Sequence, residues 1–534
     1  MNAGQSNFSI ETVCSLPAGL TADAMTSDGH VVAIWPQEDG TLRFSWDGIA
    51  GVVFDGIGEM ADKSPTVFCS ADGAHIAYVG ERRDRQERIF VGHDNREDPP
   101  VAWFSRSVPP TFSPDGRHLA YGGGTPDAMR LILDGEPIGD QQLAPVAAVF
   151  SPDGERLAYV EVRGEKRMEA EMRIVLDGAP GEWCFGMRNS GGVMQFSPDS
   201  RRFAYCRSSA DLKVQWVVDG VPQRIFDEVP HLSMARLRGV GVLEPPLAAR
   251  FSPDSRRFAY FADVPEKGVA IVEDDVAGPV LKAVGRPVFS PDSRHLAYMA
   301  QTFDGRATVV VDGVAAPPWN AKTFHGLPVF SADGRHVAVT AMREEGGLLR
   351  KRHTCVLVVD GRVVAELPGE DVSAIPVVNA DGSHVAWWVR QGPAAKVMLD
   401  GEPVPAGTYS ASEPVFTPSG RLAYATHPDG GAPVTVMLHD RPGPIAERMA
   451  PNRTVIRLFG RSLEPKANPD VAISPDGEHV AWMGMFRGCW APVLDDQVGP
   501  PFTWPVACWF EPDGRATWYL QLDDTVCRVT ARPG

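Results

Sequence analysis

Nowhere in its 534 residues does the chain hold an apolar run near the ~18 residues that a membrane helix needs, so no membrane span is expected. Its start, Met1 to Phe8, lacks the basic stretch and apolar core of a secretory leader, which points to the cytoplasm; a chain trimmed of its leader would instead be periplasmic. The eight cysteines are scattered and none forms a Cys-x-x-Cys pair, so buried free thiols are expected, with Cys69 and Cys206 in strands. Positive charge is in short supply: 51 Lys and Arg stand against 68 Asp and Glu, a net charge of −17. Nucleic acid, which demands a basic surface, is excluded as a partner on that ground. The Gly-x-Ser-x-Gly elbow of a serine hydrolase is missing, as are a phosphate-binding glycine loop and an Asp-x-Asp-x-Asp-Gly calcium loop. No cofactor is expected. The triplet Gly122-Gly-Gly124 follows a predicted strand but precedes neither Lys-Ser/Thr nor a helix.

What the chain has in abundance is one repeated stretch, clearest as Phe112-Ser-Pro-Asp-Gly-Arg-His-Leu-Ala-Tyr121. Its turn aspartates are Asp28, Asp72, Asp115, Asp153, Asp199, Asp254, Asp292, Asp333, Asp381, Asp476 and Asp513, with a degenerate copy at Pro418-Ser-Gly420, making twelve copies. They fall about 37 to 57 residues apart, near the roughly 40–45 residues of a four-stranded propeller blade. In the copy at Asp292, Pro287-Val-Phe-Ser290 reads as extended and Pro291-Asp-Ser293 as a turn. Arg294 to Tyr298 alternates polar and apolar, the period of a half-buried strand. Ala307-Thr-Val-Val-Val-Asp-Gly313 runs a third strand into an Asp-Gly hairpin. Val314 begins a short fourth.

Phe-Ser-Pro-Asp-Gly/Ser followed by (Leu/Phe)-Ala-Tyr resembles the WD40-like (PD40) repeats of TolB-type β-propellers, which also build the propeller of prolyl-oligopeptidase-type peptidases. The resemblance spans nearly the whole chain and implies an all-β propeller of twelve four-stranded blades. It implies little about activity, since one fold hosts many functions. The last copy, Ala507 to Ala531, has room for only three strands. The strand-like Phe8 to Cys14 is therefore expected to complete it and remove the free edges.

Two long joints, Asp227 to Ala249 and Arg441 to Asp470, share a pattern: Arg236-Leu-Arg-Gly239 then Leu243-Glu-Pro245, against Arg457-Leu-Phe-Gly460 then Leu463-Glu-Pro465. Read as paired crossings, they divide the chain into two rings, 7+5. One is 1–249 plus 450–534 (blades 1–5, 11 and 12) and the other 250–449 (blades 6–10). A single twelve-bladed ring over 1–534 and a 6+6 division are the alternatives.

In an up-and-down blade the Pro-Asp-Gly and Asp-Gly turns share one face. The opposite face would carry the variable loops: Glu81 to Arg88, Glu161 to Arg173, Met342 to His353 and both long joints. Function concentrates on variable loops held by a rigid frame. Arg236, Arg238, Arg457 and Arg461 are the candidate contacts for a partner; pairing of these arginines with Glu244 and Glu464, which would only tie the joints down, is the structural alternative. His75, His118, His295, His336, His384 and His479 each lie three residues after a turn aspartate and are expected to bond to that turn, not to gather as metal ligands. Tyr78, Tyr159, Tyr260 and Trp482 read as packing between blades. First strands offer few carboxylates, Glu413 being an exception, which weighs against acid–base chemistry in a central channel. The leading expectation is a non-catalytic, bacterial-type scaffold that binds a protein or peptide on its loop-rich face. The runner-up is a channel-centred binder of a small molecule or glycan, with a lyase or hydrolase as its catalytic form.

Overall fold

A computed structural model of the chain describes residues 8–533, apart from short loop stretches (58–66, 82–88, 164–170 and 186–193 among them) and two long segments, 224–248 and 451–470. The regular elements described are all β-strands, without a helix among the described residues. They form eleven antiparallel sheets there, of which the largest joins the fourth and fifth copies of the repeat.

Copy 7 shows how one unit is made. Leu296–Gln301 pairs with Ala307–Val311, and that strand with the short Val314–Ala315. On the other side two short pieces, Ala283–Val284 and Val288–Phe289, both pair with Leu296–Gln301. The first strand is thus broken in its middle. The outer hairpin is fixed by Asp312 and Gly313, both at positive φ (49° and 77°). That is the left-handed pair a twist-matched two-residue turn requires.

Leu296, Ala297, Tyr298, Met299 and Ala300 are all buried. The half-buried alternation expected for this strand is therefore wrong. Each sheet is covered on both faces by its neighbours, so both sets of side chains are apolar. Tyr78, Tyr159, Tyr260 and Trp482 are buried as expected, three of them in clusters shared between neighbouring copies.

Clusters of buried side chains join successive copies from 2 through 12. Copy 5 packs directly on copy 6, Trp216 lying against Phe258 with ring centroids 5.3 Å apart. Copy 10 packs directly on copy 11 through Val434, Val436 and Trp482. Copy 12 packs on copy 1, where Tyr519 and Val526 meet Met25 and Val31. First strands of neighbouring units approach one another, as Val329–Phe330, Val377–Val378 and Val415–Phe416 do in turn. Fourth strands form the rim, where Val221, Val276 and Val314 are exposed. Sheets stacked face to face and converging on their first strands are the arrangement of a β-propeller.

The N-terminal strand does complete the last copy. Phe8–Ser15 pairs antiparallel with Thr525–Ala531, from Phe8 opposite Ala531 to Ser15 opposite Thr525. Phe8 packs on Trp518, ring centroids 5.6 Å apart.

Two readings of loops need correction. Much of Met342 to His353 is strand: Val337–Gly347 and Arg350–Val359 form one long hairpin, with Gly347 opposite Arg350. Gly122 to Gly124 lie within the strand Leu119–Thr125. There a Cβ on Gly122 would come within 2.5 Å of the Ser105 side chain, so glycine is needed for close approach.

Candidate functional site: the turn face and the inner-strand breaks

The turn face is built by one bonding scheme repeated around the chain. In copy 3 Asp134 sits at φ 52° in the outer turn. Its Oδ1 accepts the Leu119 N–H at 2.9 Å and its Oδ2 faces His118 Nδ1 at 2.7 Å. The histidine therefore bridges to the other turn of its own unit, not to the turn aspartate three residues before it. This corrects the local bonding expected from sequence and fixes both turns on one face. The same pair recurs as His30–Asp47, His75–Asp94, His295–Asp312, His336–Asp360, His384–Asp400 and His479–Asp495. The Asp360 hydrogen bond raises the pKa of His336 above its ordinary value.

The inner turns are closed separately. Ser113 Oγ donates to Asp115 Oδ1 at 2.5 Å and accepts the His118 N–H at 2.9 Å. That hydroxyl holds the Asp115 carboxyl below its usual range, and Ser151, Ser197, Ser252, Ser290, Ser331 and Ser474 do the same for their aspartates. A His–Asp pair beside a serine suggests a hydrolytic triad, but here each serine is committed to the turn. The arrangement fastens hairpins together; it does not present a nucleophile.

Copies 4, 5 and 6 carry arginine where copies 1, 2, 3, 7, 8, 9 and 11 carry histidine. Arg202 Nε donates to Asp219 Oδ2 at 2.8 Å, while its Nη1 donates to the carbonyls of Ser255 and Arg256 in the next copy, at 3.0 and 2.7 Å. Its guanidinium also lies 5.2 Å from the centre of a neighbour's ring, Phe251. Arg156 reaches Ser200, and Arg257 reaches Ser293, in the same way.

Variation between copies concentrates at the break in the first strand. The two halves are separated by 285–287 in copy 7, by 105–110 in copy 3 and by 186–193 in copy 5. In copy 4 the strand Ala144–Phe150 carries only a bulge near Val146. In copy 11 the halves are Arg448–Met449 and Ala472–Ile473, both paired with Val480–Phe486. The long segment 451–470 is therefore an insertion inside one inner strand. It is not a link from copy 10 to copy 11, and the variable-loop face assigned to it from sequence is not its origin. Segment 224–248 ends at Ala249, which pairs with Tyr260 in the same half-strand as Ala472. Both segments thus meet the frame at the same point of the repeat. Arg236, Arg238, Glu244, Arg457, Arg461, Glu464 and Glu413 all lie outside the described residues.

Of the stretch Glu161 to Arg173 expected as a loop, both ends are strand: Glu161 in Leu157–Arg163 stands opposite Arg173 in Glu171–Leu176, and Arg173 Nε donates to the buried Glu161 at 2.8 Å. The guanidinium groups of Arg163 and Arg173 lie over Trp183 at 3.9 and 4.7 Å from its ring centre, a cluster that sequence reading missed because Trp183 is twenty residues downstream of Arg163. Among the thiols, burial pushes Cys206 and Cys355 up to about 12, whereas Cys489 is exposed, contrary to the buried state expected of all eight.

No family model matches the chain, and no curated protein matches it. Solved structures that align with it include a eukaryotic initiation factor, at 12% identity over 73% of this chain and 92% of that one, TM-score 0.36. TolB from Acinetobacter baumannii aligns at 13% identity over 64% of this chain and 80% of that one, TM-score 0.22. Both scores are low, and the β-propeller assignment stands on the chain's own sheets.

Proposed function

We propose that the twelve copies close into a single ring, and that the ring is a non-catalytic scaffold holding a protein or peptide partner. Direct packing of copy 5 on copy 6, of copy 10 on copy 11 and of copy 12 on copy 1 supports the ring. In a 7+5 division copy 5 would instead pack on copy 11. A ring larger than the usual four to eight blades has a wider axis, and its first strands are where added chain meets that axis.

The observation that carries the scaffold reading is the contrast between frame and insertion. The turn face repeats one hydrogen-bond scheme with its polar groups mutually engaged. The inner-strand breaks differ in length from copy to copy; 451–470 falls between the two halves in copy 11, and 224–248, which leads into the corresponding half-strand of copy 6, shares its Arg-Leu-x-Gly and Leu-Glu-Pro pattern. Arginine is among the residues that dominate protein interfaces, so Arg236, Arg238, Arg457 and Arg461, with Glu244 and Glu464, are the proposed contacts. The test is capture from the native host with the intact protein and with Arg457→Glu/Arg461→Glu. A partner held by the first and lost by the second supports the reading; unchanged capture removes it.

A further inference from the structure

Arg286 lies in the inner-strand break of copy 7, between Gly285 and Pro287, and is only 6% exposed. Among the described residues its guanidinium meets no carboxylate, and its Nε is sealed from solvent with no hydrogen-bond partner. Its two terminal nitrogens are not among the sealed atoms, so the fork keeps a narrow access to solvent. Three half-buried arginines elsewhere in the chain are paired: Arg156 with Asp177, Arg202 with Asp219, Arg257 with Glu273.

A guanidinium cannot shed its proton to escape this setting. A buried charge without a counter-charge is strongly destabilising, so its retention calls for a compensating group. Neighbouring copies show what the slot holds otherwise. Leu327-Pro328 and Ile375-Pro376 stand where Arg286-Pro287 stands in copy 7. Apolar side chains fill the equivalent positions there, so the architecture does not require arginine. Pro287, with its fixed φ, and Gly285, whose N–H is bonded to Met299 O at 2.7 Å, hold the backbone on either side. The result is a fixed, dry-stemmed fork facing a narrow opening, the geometry that suits a two-oxygen anion.

We propose that Arg286 anchors an oxyanion-binding site in the copy 7 break, taking a carboxylate or a phosphate group through its two terminal nitrogens. This site is independent of the scaffold reading and of the two long segments.

The test uses the full chain with inorganic phosphate and with acetate as probes, against chloride at matched ionic strength. A ligand that binds only the folded state raises the melting temperature. The expected result is an added rise in one or both probes for the unmutated protein, and loss of that increment in Arg286→Leu, which carries the residue used in copy 8. Arg286→Leu should melt at the same temperature or higher in chloride. Response to phosphate alone assigns a phosphate ligand, and to acetate alone a carboxylate. Equal increments in both proteins mean general salting-out and overturn the site, as does a lack of any increment in the unmutated protein. A lower melting temperature for Arg286→Leu in chloride overturns it too, because the arginine is then structural. If Arg286→Leu does not fold, the Arg286 Nε–H resonance of the unmutated protein decides: movement on titration supports the site, and constancy overturns it.

Discussion

Asp134 offers a clean measure of what fastens the turn face. Its carboxylate accepts the Leu119 N–H at 2.9 Å and faces His118 at 2.7 Å, and its own N–H donates to the Leu119 carbonyl at 2.9 Å. Replacement by Asn keeps an acceptor for Leu119 and tolerates the left-handed backbone. It forfeits only the charged contact to His118, and both side chains are over two-fifths exposed, so screening limits that loss to about 0.5 kcal/mol. Replacement by Ala leaves the Leu119 N–H without a partner, at about 1–2 kcal/mol, and puts a Cβ residue without local bonding at φ 52°, at about 1 kcal/mol more. The difference between the two variants is then about 2 kcal/mol, or roughly 30-fold in local opening. Hydrogen exchange read on the Leu119 amide measures this directly, with the equivalent Leu296 of copy 7 as an internal control. Asp134→Ala should exchange about 30-fold faster there than Asp134→Asn, with Leu296 unchanged in both. Equal rates for the two variants would refute the view that the aspartate acts by capping a backbone donor.

Arg202→Ala should lower stability by about 2 kcal/mol in denaturant unfolding, through loss of two inter-copy hydrogen bonds and the contact with Phe251. Arg202→His should recover only the Asp219 contact, and a variant with His as stable as the original would contradict the clamp. His336 has a raised pKa in the folded state, so its contribution is fully present below its unfolded value of 6.5 and fades as pH climbs through the folded value. The advantage of the unmutated protein over His336→Gln should therefore shrink from acid to alkaline pH; growth in that direction would show the sign to be wrong. Replacing 451–470 by a single glycine leaves a bridge as short as 285–287, and stability in denaturant unfolding should hold or rise by about 1–2 kcal/mol from loop closure. Collapse of the fold would mean that the segment does more than interrupt one strand.

The repeat was legible because its signals are local. Asp-Gly at the end of a third strand, as at Asp312-Gly313, marks a left-handed pair, and the short last copy advertises a missing strand that Phe8–Ser15 supplies. The break in the first strand was not legible for the opposite reason. Ala283–Val284 and Val288–Phe289 are two residues each, too short for any period, and only their joint pairing with Leu296–Gln301 makes them one strand. Distance along the chain says that copy 11 contains extra residues. It cannot say whether they precede the first strand or divide it, because Arg448–Met449 has no signature of its own. Arg286 was hidden likewise: a lone arginine before proline is unremarkable until its burial and lack of a partner are seen together.

One long-range contact, however, is written in the sequence, and it bears on the ring. Copies 5, 6 and 7 turn through Pro-Asp-Ser, with serine where the nine other copies have glycine. Ser200, Ser255 and Ser293 stand at φ of 62–65°, a conformation glycine would adopt at no steric cost. Each offsets that strain by accepting, at Oγ, the backbone N–H of the turn aspartate one copy earlier: Asp153, Asp199 and Asp254, at 2.9–3.0 Å. Each also offers its carbonyl to the arginine of that earlier copy, and copies 4, 5 and 6 are the ones with Arg156, Arg202 and Arg257 where copies 3, 7, 8, 9 and 11 have histidine. Arginine in one copy and serine in the next therefore form a matched pair. The pair Arg202 with Ser255 spans the joint between copies 5 and 6, across the twenty-five residues of 224–248. A crossing between rings at that joint would leave Ser255 strained without its partners, so this contact favours the proposed single ring.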